Sequence, residues 1–419
     1  MSSRAKSGLF PVAGAAAGTL LYNLGQWLIL ILLTQYAGII EVGLFSLALA
    51  ISAPFSLLTG MALRTVYVTD VDPERSFGDF LVLRLAGSTL TIVVCLFYAL
   101  ATGTIGTIFV AVVFCKSIDS VTDIFCAPLQ ENGRLLRIGF QSGLNGVVSA
   151  ASVAFFLVFL DASVDVAILS SLLGSIAALL VSLPAPRVDT FRASFPAILQ
   201  IAQTAWPLGI SAMVVSLMAN VPRYVLNGYV DVGAVGIFSA VAYLTVIGTA
   251  VVAALAQLLL PRLVATNRTC RYPALRSDIT KLVALTSLAS SFIVVAGFFI
   301  ASPLLSWLYG NEYNEPFTFT ILLAAWAAGA VSWMIDLGLS TRRQFRMQLI
   351  SSLVALTAVT IASFILIAKF NLEGAGLAAL IGSVIHLLMR AIFFYNPPPT
   401  ARHRRPPGQP AQQHQPDRT

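Results

Sequence analysis

The chain has 419 residues, of which 58% are hydrophobic and only 10% charged, with a net charge of +7. Soluble domains are roughly 25% charged, and a soluble globule of this length must clothe itself in polar side chains. Lipid is therefore the solvent for most of these residues, and the positive charge reads as a topology signal before it reads as a nucleic-acid patch.

The chain opens on a basic stub, Arg4 and Lys6, followed by an apolar stretch that runs to about Thr34. That is too long for the roughly 7–15-residue apolar core of a cleaved signal peptide, so it reads as the first span. Crossing ~30 Å of hydrocarbon takes about 20 mainly apolar residues. Segments of that length lie near 10–35, 42–63, 80–100, 105–128, 139–160 and 165–183. Six more follow near 198–221, 235–260, 282–302, 317–340, 348–368 and 374–395. Helices are expected throughout, because lipid leaves backbone groups unsatisfied in anything but helices and closed barrels.

Short loops that stay in the cytoplasm collect Lys and Arg. With twelve spans and both ends inside, all but Lys116, Arg223 and Lys369 of the 25 basic residues fall on the cytoplasmic side. The predicted organisation is a six-helix lobe over 1–183, a cytoplasmic linker over 184–197 and a second six-helix lobe over 198–395. Residues 396–419, rich in Pro, Gln and Arg, form a disordered cytoplasmic tail without apolar periodicity. The longest outer loop is expected at about 303–316.

An internal repeat supports two lobes. Tyr36–Ser46 and Tyr229–Ser239 match at five of eleven positions with an offset of 193, each at the second span of its half. An even number of spans per half makes such repeats parallel, related by an axis along the membrane normal, with a central cavity between them.

The fourth span, "FVAVVFCKSIDSVTDIFCAPLQENGR", is the unusual one. At 100° per residue, Lys116, Asp119, Ser120, Asp123, Ala127 and Gln130 share an arc of about 100°. Lys116 lies roughly 18 Å of helix rise from the outer end, near the midplane. A Lys or Asp at that depth costs about 2.5–3.5 kcal/mol on insertion scales, so such groups face a bundle interior or water. Two readings stand: an ion pair of Lys116 with Asp119 that neutralises itself, or a hydrated functional stripe. Asp123, with a like charge four residues before it, favours the second.

Elsewhere, Arg64 ends the second span and Arg84 lies one turn into the third; both read as residues that snorkel to headgroups or, for Arg64, as a substrate-side cation. Arg223, after Pro222 near a helix end, is either an anion contact at the outer mouth or a snorkelling side chain. Asp336 and His386 are lone polar groups near the tenth and twelfth spans, read first as packing residues, with Asp336 also a candidate polar group of the cavity. Cys95, Cys115, Cys126 and Cys270 have no metal or disulfide spacing. Catalytic and nucleotide-binding motifs are missing from the sequence, so it reads as neither an enzyme nor an ATP-driven pump.

Five stretches, in order, resemble the polysaccharide and O-antigen flippases, a branch of the multidrug/oligosaccharidyl-lipid/polysaccharide exporter superfamily. They are Val42–Asp70, Cys115–Arg134, Val235–Leu263, Leu304–Tyr313 and Asn371–Arg390, and the likeness spans about residues 10–395. The resemblance implies an all-α fold of about twelve helices in two lobes. It also implies flipping of an undecaprenyl-diphosphate-linked oligosaccharide across the bacterial inner membrane by alternating access, for O-antigen or exopolysaccharide synthesis. Lys116, Arg64 and Arg223 would then meet the anionic headgroup, with Asp119, Asp123, Ser120 and Asp336 as polar or coupling-ion groups of the cavity. No cofactor is expected beyond H+ or Na+ as coupling ion; the partners are the lipid-linked substrate, membrane lipid and a polysaccharide polymerase, with no nucleic acid. Where the family's fourth-span signature often carries Glu, this chain has Asp119. A multidrug antiporter of the same superfamily is the alternative, against which a basic cavity residue argues; a glycan polymerase or ligase would want a long outer loop.

Overall fold

The computed structural model describes residues 3–70, 75–104, 106–183, 193–268 and 272–396. Residues 184–192 of the expected linker and 397–419 of the expected tail lie outside the described residues. Among those residues the structure is helical, with no strand. The first half holds α1 (Ser3–Tyr36), α2 (Ile39–Gly60), α3 (Leu63–Thr69), α4 (Phe77–Thr102), α5 (Thr107–Glu131), α6 (Leu135–Ala154), α7 (Val164–Ser170) and α8 (Leu172–Ser182). The second holds α9 (Phe195–Tyr229), α10 (Val232–Arg268), α11 (Tyr272–Tyr309), α12 (Pro316–Thr341) and α13 (Phe345–Tyr395).

Ten helices among the described residues are long and apolar enough to cross a membrane. One of them is α13, whose 51 residues break at Asn371 (φ 48°, ψ −120°) and so make two crossings. The 25-residue α5 is as long as a span but carries Lys116, Asp119 and Asp123, which lower its hydropathy. With these the crossings come to about twelve, as the sequence predicts. Large apolar side chains point outward, Phe292, Phe299 and Trp307 each about three-quarters exposed, as lipid-facing residues do.

Three boundaries differ from the sequence reading. The second span does not end at Arg64: Met61 and Ala62 both take left-handed φ of 48°, and the chain continues as α3 to Thr69. Each such non-glycine residue costs roughly 1–2 kcal/mol; the break turns α3 so that Arg64 reaches α5. The expected linker is shorter than 184–197, since α9 starts at Phe195. The expected long loop at 303–316 shrinks to residues 310–315, because α11 runs through Pro303 to Tyr309.

Helix packing in lipid depends on close approach, which small residues allow. Along the seam of α1 with α6, a Cβ on Gly18 would lie 1.9 Å from the Gly139 carbonyl oxygen and one on Gly25 2.3 Å from that of Gly146. At the kink between α7 and α8, the carbonyls of Ser170 and Ser171 accept hydrogen bonds from Ser152 and Ser149 of α6.

The repeat meets itself where the halves touch. A Cβ on Gly43 would strike the carbonyl oxygen of Val232, and one on Gly236 that of Ile39. Ile39 and Val232, like Gly43 and Gly236, are one repeat apart, so α2 and α10 cross with each helix presenting the same face to the other. Near this crossing Trp27 Nε1 donates to Tyr309 Oη at 2.9 Å, Gln35 Nε2 to the Leu308 carbonyl at 2.8 Å, and Tyr224 Oη to the Ala50 carbonyl. One core there contains residues of both halves, among them Leu30, Phe45, Leu226, Phe238 and Tyr309. At the other end, where most basic residues lie, there are two cores: one around Phe80 and Ile124, which Ile201 and Ala205 of α9 join, and another around Ile335 and Phe394 within the second half.

Candidate functional site

The polar residues of α5 divide into two sets. Toward the basic end, Asp123 pairs with Arg64 Nη1 of α3 and Arg84 Nη2 of α4, each at 3.2 Å. Arg64 Nε also donates to Gln130 Oε1 at 2.7 Å, and Arg84 Nη1 to Ser120 Oγ at 3.0 Å. One carboxylate between two guanidiniums leaves this cluster with net positive charge. Arg84 is only 4% exposed and so does not snorkel, contrary to the sequence reading. The like charge of Asp119 beside Asp123 is tolerated because α3 and α4 deliver two cations to it.

Deeper in the helix, Asp119 accepts three hydrogen bonds from three other helices. The donors are Tyr22 Oη of α1 at 3.0 Å, Asn145 Nδ2 of α6 at 2.7 Å and Ser175 Oγ of α8 at 2.7 Å. Lys116 does not pair directly with Asp119. Its Nζ donates to Tyr22 Oη at 3.2 Å and lies 5.8 Å from that ring's centroid. The tyrosine hydroxyl thus stands between ammonium and carboxylate, an arrangement neither sequence reading contained. Tyr22 was missed because a tyrosine in an apolar span carries no periodicity signal of its own.

A cavity of about 160 Å³ runs beside these groups, lined by Thr19, Tyr22, Arg64, Asp119, Asp123, Gln141 and Asn145 among others. It is polar and roomy enough to hold several water molecules. Asp119 also borders a small void of about 20 Å³ that includes Lys116, Gln26 and Ser175.

From the second half, Arg223 of α9 turns inward. Its Nε donates to Ser239 Oγ of α10 at 2.9 Å, and its Nη1 to the Ala219 carbonyl at 3.0 Å and to Asn220 Oδ1 at 2.9 Å. The guanidinium stands 5.7 Å from the Phe238 ring. Ser239 lies seven residues inside α10, about 10 Å of rise, so Arg223 sits deeper than the outer mouth where the sequence placed it. Among the described residues no carboxylate pairs with it. Tyr243 of α10 is close enough to feel the charge of both Lys116 and Arg223, one cation from each half. Lys116 is therefore not the only deep cation of the chain.

The remaining candidates lie apart from this site. Asp336 of α12 pairs with Arg390 Nη2 of α13 at 3.1 Å and accepts from Gln348 Nε2 at 2.9 Å. His386 is buried against Ser352, with Nε2 3.3 Å from its hydroxyl. Both are held within the second half.

No protein-family model matches the chain. A capsular polysaccharide biosynthesis protein, CapF of Staphylococcus aureus, is 25% identical over 394 residues, 90% of this chain and 96% of that one. Among solved structures, the MATE transporter VcmN of Vibrio cholerae aligns over 94% of this chain and 97% of its own, with a TM-score of 0.65 at 14% identity. The lipid II flippase MurJ, in an inward closed conformation, aligns over 90% and 86%, with a TM-score of 0.71 at 12% identity. A MOP superfamily transporter from Pyrococcus furiosus, noted for the reverse polarity of its binding pocket, aligns over 92% and 94% with a TM-score of 0.60 at 15% identity. The chain has the fold of these membrane transporters. It is accordingly a multi-pass membrane protein, which the ten membrane-length helices support independently.

Proposed function

We propose that this protein is a flippase for a lipid-linked oligosaccharide, carrying an undecaprenyl-diphosphate repeat unit across the bacterial inner membrane by rocking of two six-helix lobes. The observation that carries the reading is a pair of inward-turned cations, one from each half: Lys116, held by the Tyr22 hydroxyl, and Arg223, held by Ser239 and Asn220 with no carboxylate beside it among the described residues. An intramembrane guanidinium with no carboxylate beside it is costly unless something anionic comes to it, and a diphosphate headgroup cannot cross hydrocarbon without fixed counter-charge. The capsular role in the name of the Staphylococcus aureus relative agrees with a polysaccharide precursor as cargo.

In this reading the basic end is cytoplasmic, by the distribution of Lys and Arg. The headgroup enters there past the net-positive cluster of Arg64 and Arg84 around Asp123, then passes to Lys116 and Arg223. Asp119 and Asp123, beside the cavity of about 160 Å³, are the groups for a coupling H+ or Na+. The substrate would come from membrane-bound glycosyltransferases and pass to a polymerase.

Deleting the gene should leave lipid-linked repeat units on the cytoplasmic leaflet and lower surface polysaccharide. Unchanged polysaccharide with increased sensitivity to cationic drugs would support the antiporter reading instead. Reporter fusions at Gly310 and Arg405 should report outside and cytoplasm, respectively; the same side for both would overturn the topology.

A further inference from the structure

We infer that Tyr22 is a positioning residue that holds Lys116 in check, so that the charge on Asp119 sets how strongly the lysine binds an anion. The inference rests on the flippase reading for the identity of the anion, and on the geometry of three atoms for the rest. Lys116 Nζ donates to Tyr22 Oη at 3.2 Å, and Tyr22 Oη donates to Asp119 Oδ2 at 3.0 Å. A phenol has one proton to give. With that proton on Asp119, the oxygen's lone pairs are left for the ammonium, and each bond of such a chain strengthens the other.

Among the described residues the tyrosine is the only hydrogen-bond partner of Lys116. This hydroxyl is therefore the lysine's hydrogen-bonded route to negative charge, beside the through-space attraction of Asp119 itself. Asp119, by contrast, has two further donors, Asn145 and Ser175, and keeps its place whether or not the tyrosine holds it. The other charged or titratable groups around Asp119 are Asp123, Cys115 and Cys126 on α5 and Arg64 across the cavity. None of these comes between it and the lysine.

The arrangement has a sign. While Asp119 is charged, the hydroxyl is polarised toward it and Lys116 is partly satisfied within its own half. Once a cation or proton neutralises Asp119, the hydroxyl is a weaker acceptor and the ammonium is freer to pair with an incoming diphosphate. By linkage, an anion on Lys116 favours neutralisation of Asp119 to the same degree. The bridge lies between the cavity of about 160 Å³, which Asp119 and Tyr22 line, and the smaller void beside Lys116, which Asp119 also borders.

The test is a double-mutant cycle on the purified full chain in lipid nanodiscs, with farnesyl diphosphate as the probe. Tyr22→Phe and Asp119→Asn should each tighten binding by at least about fivefold, the low end of typical coupling between sites. The double variant should bind less tightly than the two single effects multiplied together, because both changes release the same lysine, although loss of the Asp119 charge also favours an anion directly. Lys116→Ala should bind weakly in every background. Additive effects in the cycle, or unchanged or weaker binding by Tyr22→Phe, would overturn the role of the tyrosine and leave the flippase reading standing. Failure of the unaltered protein to bind the probe, or indifference to Lys116→Ala, would remove that reading and this one with it. Should Tyr22→Phe not fold, a ring-fluorinated tyrosine at position 22 keeps the packing and the hydroxyl. Its oxygen is a poorer acceptor, so binding should again tighten, and no change would overturn the inference.

Discussion

The fourth span of each half, α5 in the first and α12 in the second, begins the same architecture and ends in different chemistry. In α5, Lys116, Asp119 and Asp123 are joined to five neighbouring helices through Tyr22, Asn145, Ser175, Arg64 and Arg84. In α12, one carboxylate, Asp336, is met by Arg390 and Gln348 of α13, while the deeper positions are apolar or small. In the proposed rocking mechanism the two frames need matching shapes. A charged headgroup needs only one polar track, and a second would add intramembrane charge at a cost of a few kcal/mol per residue. The helices have kept the repeat and the charges have not.

The contrast predicts unequal damage. The largest effect is expected at Lys116: Lys116→Ala should abolish flipping at normal protein levels, measured as surface polysaccharide in a deletion strain, whereas Lys116→Arg should keep partial activity because a guanidinium still pairs with phosphate. Retained activity in Lys116→Ala would erase the distinction between the halves. Next comes Gly18, whose added Cβ would meet the Gly139 carbonyl oxygen at 1.9 Å. Gly18→Ala should lower stability by about 1–3 kcal/mol, the usual range for overpacking, seen as a lower melting temperature in detergent. Gly228→Ala in α9, where nothing lies within 4 Å, should change it little.

A smaller difference is expected between the two ion-pair clusters. Arg390→Ala leaves Asp336, 22% exposed, without its cation. Arg64→Ala leaves Asp123, 42% exposed, still paired with Arg84. Melting temperatures should therefore fall further for Arg390→Ala. The smallest effect lies in the short connection before α12. Burial, and then the nearby Glu373, raise the Glu315 carboxyl above its ordinary value. A carboxylate whose folded-state value is raised costs stability at pH above both its folded and unfolded values, and that cost disappears as pH falls through them. Glu315→Gln should thus melt slightly higher at pH 7, with the gap closing as pH drops into the carboxylate range.

Spans, their number and the repeat were legible in the sequence because lipid imposes length and apolarity on each helix in turn. The stripe on α5 was legible for the same reason, since charged residues stand out against an apolar background. What contacts the stripe was not. Tyr22 and Arg84 reach α5 from helices 97 and 39 residues away, by the pairings with Asp119 and Asp123, and nothing local to either residue announces a partner. Arg64 reaches Asp123 only because Met61 and Ala62 adopt left-handed backbone, which is a choice of tertiary packing that composition does not encode. Arg223 was placed by counting residues from a helix end, and its inward turn depends on Ser239 and Phe238 of the next helix.

Where α2 crosses α10, Ile39 meets Gly236 as Val232 meets Gly43, the repeat mates of one touching pair making the other. That is the reciprocity of a two-fold dimer interface, in which a single substitution is felt twice. Within one fused chain the obligation is lifted: each side of the contact is encoded separately and drifts separately, as Ile39 and Val232 already have by a methylene. Descent from a symmetric pair of six-span chains would explain both the shared frame and the freedom to specialise one copy. That drift has a limit at the glycines: a Cβ on Gly43 meets the backbone carbonyl of Val232, which no change of side chain removes, so Gly43→Ala should stay harmful even beside Val232→Ala.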